Sequence, residues 1–207
     1  YYKPRVDREL LEKYHEGLIA STACLGGEIP SLIWAKKYDR AKARIIEYNE
    51  LFGQGNFYLE IMPHPRLEGQ DEINAKLIEF SRELNIPLVA TNDIHYLRKE
   101  DDEAQDILLC LQNKKKKDDS DRMNMTGEDY SLKPATEMIE AFPNAPEAIA
   151  NTVRIAETCT VDIDLGSIQF PFFQVPDGYN GNSYLKYWCE EGLQVRYGKN
   201  YDGVEAA

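Results

Sequence analysis

Apolar positions along this chain recur in two rhythms that take turns. Short uninterrupted runs, Leu18–Ala23 (LIASTA), Asn56–Met62 (NFYLEIM) and Pro87–Thr91 (PLVAT), read as strands buried on both faces, because nothing in them alternates with polar residues. Between them the spacing stretches to three and four residues. Asp39–Phe52 places Ala41, Ile45, Tyr48 and Phe52 on one face and ends at Gly53, while Asp71–Asn85 places Ile73, Leu77, Phe80 and Leu84, with Asp71 expected as its cap and Asn85 as its end. A shorter helix is expected at Glu28–Trp34, and another at Arg8–His15 with Gly17 behind it and His15 turned to the last carbonyls. Strand, helix, strand, helix, strand from Leu18 to Thr91 predicts an α/β fold with parallel strands.

The second half is more helical. Lys99–Leu111 carries acids at its start and Ala104, Ile107, Leu108 and Leu111 behind them. Pro134–Phe142 and Pro146–Thr158 each begin on proline, and Ser183–Tyr197 forms a last helix. Residues 113–128, with four lysines at Lys114–Lys117 followed by Asp118, Asp119 and Asp121, read as one exposed, mobile loop. The glycines and prolines of 166–181 mark an extended connector and a boundary.

Composition narrows the class. Charged residues are 29% and hydrophobic ones 43% of 207, an ordinary globular balance. No window nears the roughly 18 apolar residues of a membrane span, and no signal peptide opens the chain. The absence of an initiator methionine predicts a piece of something longer. Cys24, Cys110, Cys159 and Cys189 form no C-x-x-C pair and read as reduced thiols. A net charge of −12 argues against this segment gripping nucleic acid by itself.

Chemistry gathers where strands end. Asp93 and His95 follow the run Pro87–Thr91, and residues i and i+2 of extended chain point the same way. They are either a carboxylate and imidazole converging on one divalent cation at a strand's C-terminal end, or an Asx-turn with a hydrogen-bonded histidine that binds nothing. Cys24 ends LIASTA before Gly26 and Gly27 and is either a ligand or a small buried hydrophobe. Glu60 is expected to bond a neighbouring loop, and His64, between two prolines, to have a surface or turn role. The D-x-D of Val161–Leu165 (VDIDL) invites a two-metal reading, which is rejected because it lacks a third carboxylate and a phosphate cradle.

The series GLIASTACLGGEIP, FYLEI, IPLVATNDIHYL, DEAQDILLCLQ, PEAIANT, IAETC and PDGYNGNSYL, in this order and spacing, resembles the alpha subunits of bacterial DNA polymerase III. The likeness implies that 1–165 is the C-terminal part of a PHP (polymerase and histidinol phosphatase) domain, a distorted (β/α)7 barrel with parallel strands. Residues 166–207 are then the linker and the start of the polymerase (palm/thumb) region. It implies a metal cluster of zinc, iron or manganese with Cys24, Asp93 and His95 among its ligands, and magnesium at a polymerase site elsewhere in the parent protein. The family's opening H-x-H and several further ligands would precede Tyr1, so this polypeptide alone is expected to be neither polymerase nor competent nuclease. For the parent the resemblance implies DNA synthesis in the cytoplasm, contacts to DNA, sliding clamp and proofreading subunit, no membrane, and a PHP domain that is either a 3′–5′ exonuclease or an inert scaffold. A free-standing phosphoesterase is disfavoured by the tail PDGYNGNSYL.

Overall fold

The computed structural model describes residues 5–168 and 170–198. The chain forms two compact units, Tyr1–Thr160 and Val161–Ala207.

In the first unit the elements run α1 (Arg8–Tyr14), β1 (Ala20–Ser21), α2 (Glu28–Trp34), α3 (Tyr38–Phe52), β2 (Phe57–Ile61), α4 (Gln70–Leu84), β3 (Leu88–Ala90), α5 (Asp102–Asn113), α6 (Ala135–Ala141) and α7 (Pro146–Thr158). The strands make a parallel sheet in the order β1-β2-β3, with Ala20 opposite Phe57 and Leu59, Glu60 and Ile61 opposite Leu88, Val89 and Ala90. This is the α/β arrangement expected of part of a PHP-type barrel.

The continuous apolar runs have their physical reason here. Both faces of β2 and β3 are covered, so Tyr58 and Val89 are buried as well as Phe57, Leu59, Ile61, Leu88 and Ala90. Ile29 and Ile33 of α2, Ala41, Ile45 and Phe52 of α3, and Ile73, Leu77 and Phe80 of α4 complete one continuous core with Phe57, Leu59 and Ile61. Helix α7 packs on β3, and its Asn151 donates to the Leu88 carbonyl at 2.7 Å. An amide therefore satisfies a strand group that no fourth strand pairs.

Three expectations are corrected. Asp71 is not the cap of α4: Gly69, at φ +84°, precedes Gln70, and Asp71 lies in the first turn. A Cβ on Gly69 would fall inside the Trp34 ring, so the close approach of α2 demands glycine at this position and moves the start of the helix. The helix expected from Lys99 opens with a 3₁₀ turn over Lys99–Asp101, closed by Arg98 N–H donating to Asp101 Oδ2 at 3.0 Å. The segment 113–128 is largely exposed but not loose. Arg122 enters it as a bolt, its guanidinium bonded to both carboxylate oxygens of Asp106, a residue only 4% exposed on α5. Lys117 pairs with Glu103 at 2.7 Å, and Lys115 with Asp121 at 2.7 Å. Arg122 and Lys117 thus tie the loop to α5, while Lys115 and Asp121 pair within it.

In the second unit α8 spans Gly181–Tyr197. Asn180 accepts from Ser183 N–H at 2.9 Å, and Ser183 Oγ accepts from Asn180 N–H at 2.9 Å, a reciprocal cap. Phe173, Tyr179, Tyr184, Tyr187 and Trp188 stack on one another along it.

Leu77→Ala should lower the opening free energy of β2 and β3 amides by about 2–5 kcal/mol, read by native-state hydrogen exchange. The Arg122 guanidinium holds the Asp106 carboxyl below its usual range. A carboxyl so depressed stabilises the fold fully above its ordinary pKa and loses that contribution as pH falls through the lowered one. Arg122→Ala should therefore weaken α5 protection at neutral pH and flatten its loss in acid, measured by the same exchange.

Candidate metal centre

Parallel strands bring their C-terminal ends to one side of a sheet, and the loops leaving β1, β2 and β3 carry Cys24, His64 and the pair Asp93/His95. Each loop is held by side-chain bonds that continue the sheet where its ladder stops. After β1, Thr22 N–H donates to the Tyr58 carbonyl at 3.1 Å and Thr22 Oγ1 accepts from Glu60 N–H at 2.8 Å. Ala23 then takes φ +59°, a left-handed turn that costs an alanine roughly 1–2 kcal/mol. Gly27 closes this loop with its N–H donating to the Cys24 carbonyl at 2.8 Å, and a Cβ there would collide with the Thr22 carbonyl. The Cys24 residue is exposed.

After β2, the buried amide of Asn74 stands in for a partner strand. Its Oδ1 accepts from Met62 N–H at 3.2 Å and its Nδ2 donates to the Met62 carbonyl at 2.7 Å, while Gln70 Nε2 donates to the same Oδ1 at 2.9 Å. The exit turn so fixed points His64 inward. The surface role expected for His64 is overturned: it is 1% exposed, and neither ring nitrogen has a hydrogen-bond partner. The flanking prolines suggested a loop, whereas its position just past a strand buried on both faces was the better signal.

After β3, Asn92 is buried and Asp93 takes φ +47°, a region aspartate enters at low cost. His95 Nδ1 lies 2.5 Å from the Asp93 carbonyl and 3.9 Å from its carboxylate. With Nδ1–H donating to that carbonyl, Nε2 is left as the lone-pair nitrogen. The turn is not an Asx-turn, since His95 N–H donates to the Tyr130 carbonyl at 2.9 Å and it is the Asp93 backbone carbonyl, not its carboxylate, that holds the His95 ring.

A second group of residues, unforeseen from the sequence, closes over these loops. Glu128 Oε2 is 4.0 Å from His64 Nδ1. The Tyr130 ring sits 4.5 Å from the His64 ring and 5.7 Å from the His95 ring. Burial pushes the Tyr130 phenol up, and the charges of Asp93 and Glu128 push the same way. Burial lowers the His64 pKa, with the Glu128 charge opposing it. A neutral imidazole, with one lone-pair nitrogen and one N–H, is the form that ligates metal. Glu60, by contrast, is occupied: its carboxylate accepts from Thr91 Oγ1 at 2.6 Å and from Ser21 Oγ, the neighbour bonding expected of it.

The donor set, imidazole, carboxylate and thiol, suits a divalent cation such as zinc, iron or manganese, and a buried imidazole without partners is what a missing ligand leaves behind. Among the described residues no three His, Cys, Asp or Glu side chains converge into a ready metal-holding group. Asp93 and His95 are neighbours, and among the described residues Cys24 is not brought together with them into a metal-holding group.

Residues 1–64 match the family model described as PHP domain, the stretch that ends at His64. Relatives are similar along nearly all of the chain. DNA polymerase III subunit alpha of Borreliella burgdorferi is 44% identical over 95% of it, that of Treponema pallidum 38% over 100%, and that of Thermus aquaticus 40% over 95%. The chain is homologous to DNA polymerase III alpha subunits. It spans 17%, 18% and 16% of the length of those three relatives. No helix, among the described residues, is long and apolar enough to cross a membrane.

An orphaned buried imidazole is a stability cost that only a ligand recovers. His64→Phe should leave the metal-free protein as stable as before or more stable by on the order of 1 kcal/mol, while its zinc content falls. Denaturation of the stripped protein and elemental analysis of the loaded one check the two halves.

Proposed function

We propose that this segment is part of the PHP domain of a replicative DNA polymerase, and that its strand ends contribute Cys24, His64, Asp93 and His95 to a divalent-metal site. The domain would reach beyond the matched residues to about 165, with 166–207 leading into the polymerase region. The observation that carries the reading is His64, buried with two free nitrogens beside the D-x-H turn.

A divalent cation bound there would supply hydroxide and charge stabilisation for phosphodiester hydrolysis, the chemistry of a 3′–5′ exonuclease. The chain's own residues do the preparing. The Asp93 carbonyl fixes the His95 ring, burial keeps His64 neutral, and the Asn74 amide holds the turn that presents it. Cys24, Asp93 and His95 act as ligands and not as general acids. DNA, sliding clamp and proofreading subunit would be partners of the whole cytoplasmic protein, with magnesium at its polymerase site. The net charge of −12 leaves the DNA grip to other parts of it.

A second reading, an inert PHP scaffold bracing the polymerase, draws on the Asp93–His95 turn, which gives His95 a partner without metal. Asp93→Asn in the full-length protein separates the two. The metal-site reading expects loss of bound metal and of 3′–5′ exonuclease activity by tenfold or more, about what removal of a ligand or its support costs, with DNA synthesis unchanged. Unaltered metal content and unaltered error rates would favour the scaffold.

A further inference from the structure

The segment Asp129–Leu132 forms no strand beyond a single bridge between Ser131 and Tyr96, yet five of its backbone polar groups bond to the loop that carries Asp93 and His95. Asn92 Nδ2 donates to the Asp129 carbonyl at 2.9 Å and to the Ser131 carbonyl at 2.7 Å. His95 N–H donates to the Tyr130 carbonyl at 2.9 Å, and Tyr130 N–H donates to the Tyr96 hydroxyl at 3.0 Å. Leu132 N–H reaches the Tyr96 carbonyl at 3.2 Å, and Ser131 N–H is held by Asp129 Oδ1 at 3.0 Å. The result is a strap tied at every step, with Tyr130 at its centre and buried to 6% exposure.

Such a strap has two candidate purposes: covering core, or placing one side chain. Its neighbours decide between them. Ser131 is buried but small, and Leu132 is 55% exposed, so the strap delivers a single large buried side chain. That side chain meets two imidazoles from two different loops. The His64 ring lies against it at a tilt of 34°, and the His95 ring meets it edge-on at 80°. Both separations fall within the range of favourable aromatic pairs. The His64 ring nitrogens have no close hydrogen bond, only Glu128 Oε2 at 4.0 Å from Nδ1 and the Asn92 backbone nearby, so packing against Tyr130 joins these in setting the ring plane. Metal-ligating histidines are normally oriented by a hydrogen bond from the other ring nitrogen, and here an aromatic contact takes that place.

We propose that Tyr130 is a positioning residue of the candidate metal centre: strapped across the D-x-H loop, its ring sets the plane of His64 against that of His95, which the Asp93 carbonyl holds, so that both present lone pairs to one divalent cation. This inference rests on the metal-site reading and adds a residue to it that touches no metal. The ring and not the hydroxyl does the positioning, since the contacts are ring to ring.

The test is Co(II) titration of the metal-stripped full-length protein, followed by its visible absorption, in wild type, Tyr130→Phe and Tyr130→Leu. Leucine keeps an apolar side chain on the strap without an aromatic plane, so it does not depend on the fold surviving a cavity. Tyr130→Phe is expected to keep both affinity and band shape. Tyr130→Leu is expected to weaken Co(II) binding about 10–100-fold, the range for residues that orient ligands, and to shift the bands. Wild-type affinity and spectrum in Tyr130→Leu would overturn this inference alone, as would a loss in Tyr130→Phe as large as in Tyr130→Leu, which would hand the role to the hydroxyl. A wild-type protein that takes up no Co(II) would overturn the metal-site reading and this inference with it.

Discussion

Parallel pairing of β2 with β3 is the constraint from which the rest follows. Leu59 N–H donates to the Pro87 carbonyl at 2.9 Å and Thr91 N–H to the Ile61 carbonyl at 3.0 Å, and strands so joined must be crossed over by a helix and covered on both faces. Helix α4 provides that crossover, and α2, α3 and α7 provide cover. Because the strands run in one direction, their exits lie together, and so do the side chains the exits carry.

Where the ladder ends, buried backbone groups still need partners, and two asparagines supply them. Asn74 answers both groups of Met62, and Asn92 answers two carbonyls of the strap at once. Each is buried; Asn92 directly precedes Asp93, and Asn74 holds Met62, two residues before His64. The same polar satisfaction that ends the sheet therefore aims the site. Without those amides the loops would have to turn to water, taking the imidazoles with them.

Around this frame the site keeps features that stability alone would remove. Ala23 sits in a left-handed conformation, and His64 is buried with no partner. Such costs concentrate at functional positions because the surrounding structure over-determines them. The Arg122–Asp106 bolt belongs to the same economy of support, since it fixes the loop that leads into Glu128 and Tyr130.

The sequence by itself determined the order and type of the elements, because continuous apolar runs and three-to-four spacing are local properties that burial on a parallel sheet requires. It singled out Asp93 and His95 as a pair, but what brings them together is the left-handed turn at Asp93 and not the extended chain that the i, i+2 spacing assumes. Only the tertiary structure decided the rest of the site. His64 looked like a loop residue between prolines, and although its place after a buried strand hinted at burial, nothing near it in sequence reports the Tyr130 ring that packs on it. Tyr130 lies 66 residues from His64 and 35 from His95 in the numbering, and a ring contact across such distances exists only once the strap is tied to its loop. Asn74 and Asn92 carried a faint sign, an amide on an apolar helix stripe and another beside a buried strand, yet which backbone groups they answer is fixed by where the strands stop, and that is a property of the packed sheet.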